Sequence, residues 1–283
     1  MSILITGASG SFGRAMVYRL LTAPPDWLEA ARIIVYSRCE HKQADMQRQF
    51  AALDQNQRLR FFIGCVRDRD RLKRAMYGVR YVIHAAALKR IEVGAYNPTE
   101  MVKTNIGGAI NVIEAANDCD VEKVIMLSTD KAWQPISPYG QSKALAEALF
   151  LNAYQGRTMF AVTRYGNVWK SQGSVVPAWQ EQIAAGGPVY ITDLDCTRFY
   201  MTMDQALDLV LDTLKTMQGG ELRVPTLPAY RLGDLAVAMD GAKRITWEFT
   251  GLPPWEKLHE GMEIGNTSDK ARRMTVEELR AAL

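Results

Sequence analysis

The chain opens on "ILITGASGSFGRAMVYRLL": an apolar strand, a turn carrying Gly7, Gly10 and Gly13, and a run with helical spacing. No other stretch limits the fold as strongly. Glycines there let the turn be tight and let the backbone approach a pyrophosphate, whose charge meets the free amides of the helix N-terminus. A glycine triplet carries little weight alone, but the strand, turn and helix around it supply the required context. Gly7, Gly10, Ser11, Phe12 and Gly13 are therefore expected to cradle a dinucleotide.

Further apolar runs follow at Ile33 to Ser37, Leu59 to Val66, Tyr81 to Ala87, Lys123 to Thr129 and Met159 to Tyr165, alternating with helical patterns such as "DRLKRAMYG" and "GGAINVIEAAN". Continuous rather than alternating apolar strands joined by helices imply an α/β fold, a doubly wound parallel sheet covered on both faces. After about Gly173 the rhythm loosens and Pro and Gly punctuate it. Residues 1–172 are expected to form the dinucleotide-binding domain, and 173–283 mainly a smaller substrate-binding lobe, with some segments returning to the main domain. "TVEELRAAL" at the end has Thr275 and Glu278 at capping-box spacing and reads as a closing helix.

The charge balance excludes several classes of partner. The 34 basic and 31 acidic residues are well mixed, so no basic patch points to nucleic acid or a membrane surface. No run approaches the about 20 apolar residues of a membrane helix. Cys39, Cys65, Cys119 and Cys196 never fall in a Cys-x-x-Cys spacing, and His84 and His259 have no second ligand near them, so no metal site is expected. Reduced thiols and a cytoplasmic location are the expectation.

Cofactor choice turns on the end of the second strand. An acidic residue there would accept from a ribose 2′-hydroxyl, whereas this chain has Ser37 and Arg38, with Lys42 a turn later. A hydroxyl and cations suit a 2′-phosphate, which favours NADP over NAD, although Glu40 leaves NAD open. Ala85, Ala86 and Ala87 end the fourth run with small side chains, as a cofactor lying across the backbone requires.

"STDKAWQPISPYGQSK" holds the chemistry. Tyr139 and Lys143 are four apart on one helix face, and an ammonium beside a phenol favours the phenolate, making Tyr139 a base for a substrate hydroxyl. Thr129 could hold the same oxygen. Asp130 and Lys131 exceed what a simple alcohol dehydrogenase needs.

At these motifs the chain resembles the extended short-chain dehydrogenase/reductases, which carry a Rossmann-like domain, and within them the inverting UDP-N-acetylglucosamine 4,6-dehydratases. The resemblance spans nearly the whole chain through "YSRCEHKQ", "HAAALKRIEVGAYNP", "NIGGAINVIEAA", "TRYGNVWKSQGSVVPAW", "CTRFYMT" and "PPWEKLHE". It implies oxidation at sugar C4, loss of the C6 hydroxyl and return of hydride to C6. Asp130 would donate a proton to the C6 oxygen and Lys131 would take the C5 proton. Lys131 must then at times be neutral, while Lys143 stays charged. Lys89, Asn167, Val175, Val176, Arg198 and Glu256 are implied substrate contacts, with Val175 and Val176 equally explained as helix packing. Cys65 and Val66 would lie near the adenine, Cys65 standing where relatives carry Asp, and Trp255 stands where relatives carry Gly. A homo-oligomer, dimer or hexamer, is implied. The alternatives are a UDP-sugar 4-epimerase and a non-catalytic NADP-binding regulator.

Overall fold

The computed structural model describes residues 1–154, 156–240 and 245–283. The first part of the chain runs β1 (Ser2–Thr6), α1 (Ser11–Thr22), β2 (Arg32–Ser37), α2 (Glu40–Phe50), β3 (Leu59–Ile63), α3 (Arg69–Met76) and β4 (Tyr81–His84). It continues through α4 (Ile91–Tyr96), α5 (Pro98–Met101), α6 (Gly107–Asp118), β5 (Lys123–Thr129), α7 (Pro138–Leu151) and β6 (Met159–Tyr165). Two of the apolar runs end earlier as strands than their composition suggests. β3 stops at Ile63, before a turn at Val66–Arg67, and at Gly64 between them a Cβ would collide with the Tyr36 ring. β4 stops at His84, after which the Ala86 amide turns to donate to Thr6 Oγ1 at 3.2 Å.

Beyond residue 173 come α8 (Val175–Ala184), β7 (Val189–Ile191), β8 (Thr197–Phe199), α9 (Met203–Thr216), β9 (Leu222–Arg223), β10 (Ala229–Arg231) and α10 (Leu232–Asp240). β11 (Trp247–Phe249), β12 (Gly261–Glu263), β13 (Asn266–Thr267) and α11 (Val276–Ala282) complete the elements. Gly241 and Ala242, at the end of the "YRLGDLAVAMDGA" run, lie outside the described residues. The Thr275 hydroxyl and the Glu278 carboxylate form the expected reciprocal cap of α11.

Seven strands make one sheet in the order β3-β2-β1-β4-β5-β6-β9, and every pairing in it is parallel. Adjacent residues of β1 point to opposite faces and bury both. Ile3 and Ile5 pack with Met16 and Val17 of α1 and Leu207 and Val210 of α9, whereas Leu4 packs with Leu72, Val112 and Phe150 of α3, α6 and α7. So α9 and β9, late in sequence, belong to the sheet. A separate cluster around Trp179, Val189, Tyr230 and Leu235 forms the core of the smaller lobe.

Strand lengths place the site. β4 pairs with β5 only as far as His84 opposite Met126, while β5 continues to Thr129 opposite Tyr165 of β6. The end of β5 therefore projects past its neighbour on one side, at the carboxyl edge where the lobe packs. No helix among the described residues is long and apolar enough to cross a membrane.

Candidate active site

Asp130 and Lys131 form one turn of 3-10 helix directly after β5. The Thr129 hydroxyl accepts from the Lys131 amide at 3.3 Å and donates to Asp130 Oδ1 at 2.9 Å, so it both caps the turn and orients the carboxyl. Asp130 is fully buried, and its Oδ2 has no hydrogen-bond partner among the described residues. Burial pushes its carboxyl up, which favours the protonated acid. Lys131 Nζ lies 3.1 Å from Asp130 Oδ1, 3.1 Å from Glu260 Oε1 and 3.3 Å from Asn167 Oδ1.

The charge states differ from the sequence expectation in two respects. Burial alone would lower Lys131, but Asp130 and then Glu260 outweigh it and hold the ammonium above the ordinary lysine range. Lys143 goes the other way, pushed down to about 8 by burial against the weaker pull of Glu147. In the resting site Lys131 is thus the firmly charged lysine. Tyr139 corrects the expectation too: burial raises its phenol to about 12, and the groups pulling it back are Lys131 and the Thr129 hydroxyl rather than Lys143. Lys143 instead donates to the Leu127 carbonyl at 2.7 Å from the same helix face.

Glu260 was missed by sequence reasoning. It lies in the quoted "PPWEKLHE" motif, four residues after Glu256, and only the fold shows which acid meets Lys131. Glu260 is 2% exposed, and Lys131, Arg198 and Lys257 together hold its carboxyl below the usual range against the effect of burial. Glu256 pairs with Arg198, whose guanidinium also donates to the carbonyls of Thr197 and Leu258. A diphosphate could reach that guanidinium only by displacing Glu256. Tyr230 is a second missed neighbour, buried and hydrogen-bonded to Asn167.

The other implied substrate contacts divide. Lys89 Nζ donates to the Gln172 carbonyl at 2.7 Å, tying the loop after β4 to the segment before α8. Val176 is 1% exposed inside the lobe core, and Val175 packs against the same cluster, so helix packing accounts for both and Val176 has no free face for a base. A small recess beside Lys131 is lined by Ile91, Ile136, Ser137, Trp255, Glu256 and Lys257.

At the sheet edge under α1 the residues suit a dinucleotide. Gly10 is the N-cap of the twelve-residue α1 and offers no side-chain cap, leaving the amides of Ser11, Phe12 and Gly13 for an anion. Gly7 has φ +68°, and a Cβ on it would come within 2.8 Å of the Ala86 backbone. The small residues Ala85, Ala86 and Ala87 thus sit against the glycine turn. Gly13 lies inside α1, where a Cβ would strike the Ala8 backbone. Arg38 and Lys42 are exposed, while Ser37 is buried and accepts from Gln43 Nε2 at 3.0 Å. Cys65 is half-buried, its carbonyl accepting from the Tyr36 hydroxyl, and Val66 is buried against Gly108, so Val66 could offer an adenine only its backbone.

Residues 3–280 match the family described as polysaccharide biosynthesis protein. The chain is 43% identical over 266 residues to a UDP-N-acetylglucosamine 4,6-dehydratase (inverting) of Campylobacter jejuni, across 92% of this chain and 77% of that protein. It is 41% identical over 278 residues to a protein of Rickettsia akari named UDP-glucose 4-epimerase, across 95% of this chain and 80% of that one. The solved structure of Pen from Bacillus thuringiensis superposes with a TM-score of 0.90 at 33% identity, covering 99% of this chain and 96% of that chain.

Proposed function

The chain belongs to the polysaccharide biosynthesis protein family, and on that premise we propose that it is an NADP-dependent UDP-N-acetylglucosamine 4,6-dehydratase, inverting at C5. One observation carries the reading. A buried carboxyl held towards its acid form and a lysine are hydrogen-bonded to each other at the end of β5. Dehydration needs both an acid and a base beyond Tyr139; oxidation alone needs neither.

Tyr139, in its phenolate form and with the Thr129 hydroxyl on the same oxygen, takes the proton of the C4 hydroxyl, and that proton replaces the one Asp130 later gives up. A bound nicotinamide supplies the hydride acceptor at C4 and the hydride for C6. The C4 ketone makes the C5 proton acidic, and Lys131 removes it. Asp130 then protonates the departing C6 oxygen, and water leaves. Lys131 participates again in returning a proton to C5 from the other face. Among the groups that would hold the cofactor, Gly7, Gly10 and the α1 amides face the pyrophosphate, and Arg38 with Lys42 supplies cations for a 2′-phosphate. Lys143 and Tyr139 stand at the nicotinamide end. Lys89, Asn167, Arg198 and Glu256 surround the nucleotide-sugar, Arg198 trading Glu256 for a diphosphate oxygen. The reading also carries a cytoplasmic location and a homo-oligomer.

The second reading, C4 epimerisation, draws on the name of the Rickettsia relative. It uses Tyr139 in the same way but gives Asp130 and Lys131 no proton to move. Incubation with UDP-N-acetylglucosamine in D2O, followed by NMR, separates the readings. The dehydratase gives a 4-keto-6-deoxy sugar with deuterium at C5 and inverted C5. An epimerase gives the galacto sugar, and a non-catalytic regulator leaves the substrate unchanged.

A further inference from the structure

Lys131 is drawn by the resemblance as a base, yet its surroundings are built to keep it an acid. An ammonium has three N–H donors and no lone pair, and here three oxygens meet it, on Asp130, Glu260 and Asn167. For Lys131 to accept a proton, one of the two carboxyls must first take one. Asp130 is reserved as the proton donor to the C6 oxygen. Glu260 remains.

Glu260 is placed for this by the lobe, and its backbone is anchored on both sides. Its amide donates to Ser268 Oγ at 2.9 Å, and its carbonyl accepts from the Ser268 amide at 2.8 Å. Ser268 is buried, lies 2.6 Å from Thr197 Oγ1, and Thr197 in turn meets His259 Nδ1 at 2.9 Å. The carboxyl faces Lys131 through Oε1, while Oε2 is buried without a hydrogen-bond partner among the described residues, 3.9 Å from Lys257 Nζ. Arg198 is the remaining cation facing it, and Asp130, Tyr139 and Tyr230 border Lys131 on its other sides. The Lys131 charge is the largest of the influences that keep the Glu260 carboxyl low, so once the proton has crossed that influence is gone, while burial continues to raise the carboxyl.

We propose that Glu260 is the positioning residue that sets the proton on Lys131, holding the ammonium in the resting site and accepting its proton when Lys131 turns base. This rests on the dehydratase reading. One Nζ–H bond breaks with its electron pair left on nitrogen, and an O–H bond forms on Glu260, so the net charge of the pair is unchanged. The freed pair takes the C5 proton, and the C5–H electrons pass toward the C4 carbonyl. When Lys131 later gives a proton to C5, Glu260 returns its own. The transfer is internal to the Lys131–Glu260 pair.

The test compares wild type, Glu260→Gln and Glu260→Asp by kcat on UDP-N-acetylglucosamine between pH 6.5 and 9, with a 13Cε titration of Lys131 in the ligand-free protein. Lys143, near 8, titrates inside this range in every variant, so each profile is read as its ratio to wild type. Glu260→Gln should lose at least tenfold at pH 7 and regain about tenfold per pH unit, because neutral Lys131 then comes only from bulk deprotonation. Glu260→Asp, which keeps a carboxylate, should stay below wild type by one constant factor across the range. In the titration, Glu260→Gln should lower the Lys131 midpoint relative to wild type. A wild-type rate and profile in Glu260→Gln, or one loss factor at every pH, overturns the proposal. If wild type itself makes no 4-keto-6-deoxy sugar, the parent reading fails, and an unmoved Lys131 midpoint separately overturns the hold assigned to Glu260.

Discussion

The carbonyl oxygen of Lys131 occupies the space that a Cβ on residue 140 would need, so Gly140 is the contact on which the catalytic turn rests against the first turn of α7. Tyr139 precedes that glycine. The acid–base turn and the tyrosine helix are thus fitted to each other at this backbone contact, which joins the two halves of "STDKAWQPISPYGQSK".

Gly140→Ala is expected to push the Asp130–Lys131 turn away from Tyr139. Overpacking of this kind costs about 1–3 kcal/mol, and misplacement of reacting groups by about 1 Å costs on the order of 100-fold in rate. A thermal melt lowered by several degrees together with a kcat loss of that order, at unchanged dinucleotide affinity, is the expected pattern. A wild-type kcat would show that the turn's seat on α7 does not matter.

Lys131→Ala is expected to abolish dehydration and leave NADP binding intact. It also strands Asp130 and Glu260 as buried carboxyls without their shared cation, so their folded pKa values rise. A carboxyl raised in the folded state stabilises below its folded pKa and loses that contribution as pH increases. Urea unfolding of the variant should therefore show its deficit against wild type shrinking from pH 8 to pH 5. A deficit that grows on acidification contradicts this.

The Glu147–Arg164 pair joins α7 to β6 and, through a hydrogen bond to the Met262 carbonyl, to the smaller lobe. Both side chains are buried, at 3% and 7% exposure. Removing one partner, as in Glu147→Gln, leaves Arg164 short of its counter-charge and is expected to cost about 3–5 kcal/mol in denaturant unfolding. Because Glu147 is also the group holding Lys143 up, its loss should lower the Lys143 titration further.

His84 is buried, 2.7 Å from Thr6 Oγ1 and stacked on Phe150, and burial drives its pKa down to about 3. A group with a depressed folded pKa binds more protons when unfolded, so stability falls as pH drops from 6.5 toward 3, by up to about 1.4 kcal/mol per unit. His84→Gln should flatten that part of the stability curve. Equal acid slopes in both proteins would mean His84 is not the linked group.

Much of this architecture was legible in local pattern. β5 and β6 begin and end where their apolar runs do, and the cap of α11 lies at the spacing read from Thr275 and Glu278. Glu260 was not legible, because its contact with Lys131 spans more than a hundred residues and depends on how the lobe returns to the sheet. Val176 was ambiguous for another reason: an apolar residue on an amphipathic helix reads alike whether it meets a ligand or a core. The charge order of the two lysines was also hidden. It depends on how many carboxylates surround each, which is a property of the folded site.

The most direct test of dehydration follows a deuterium at C4 of UDP-N-acetylglucosamine, mixed with an equal amount of undeuterated sugar bearing 13C throughout the hexose. The expected product carries the deuterium at C6 of the same molecule that lost it from C4, with none on the 13C sugar, because hydride leaves and returns within one site. Label retained at C4 of a galacto product, or scrambled onto the 13C sugar, would contradict the account.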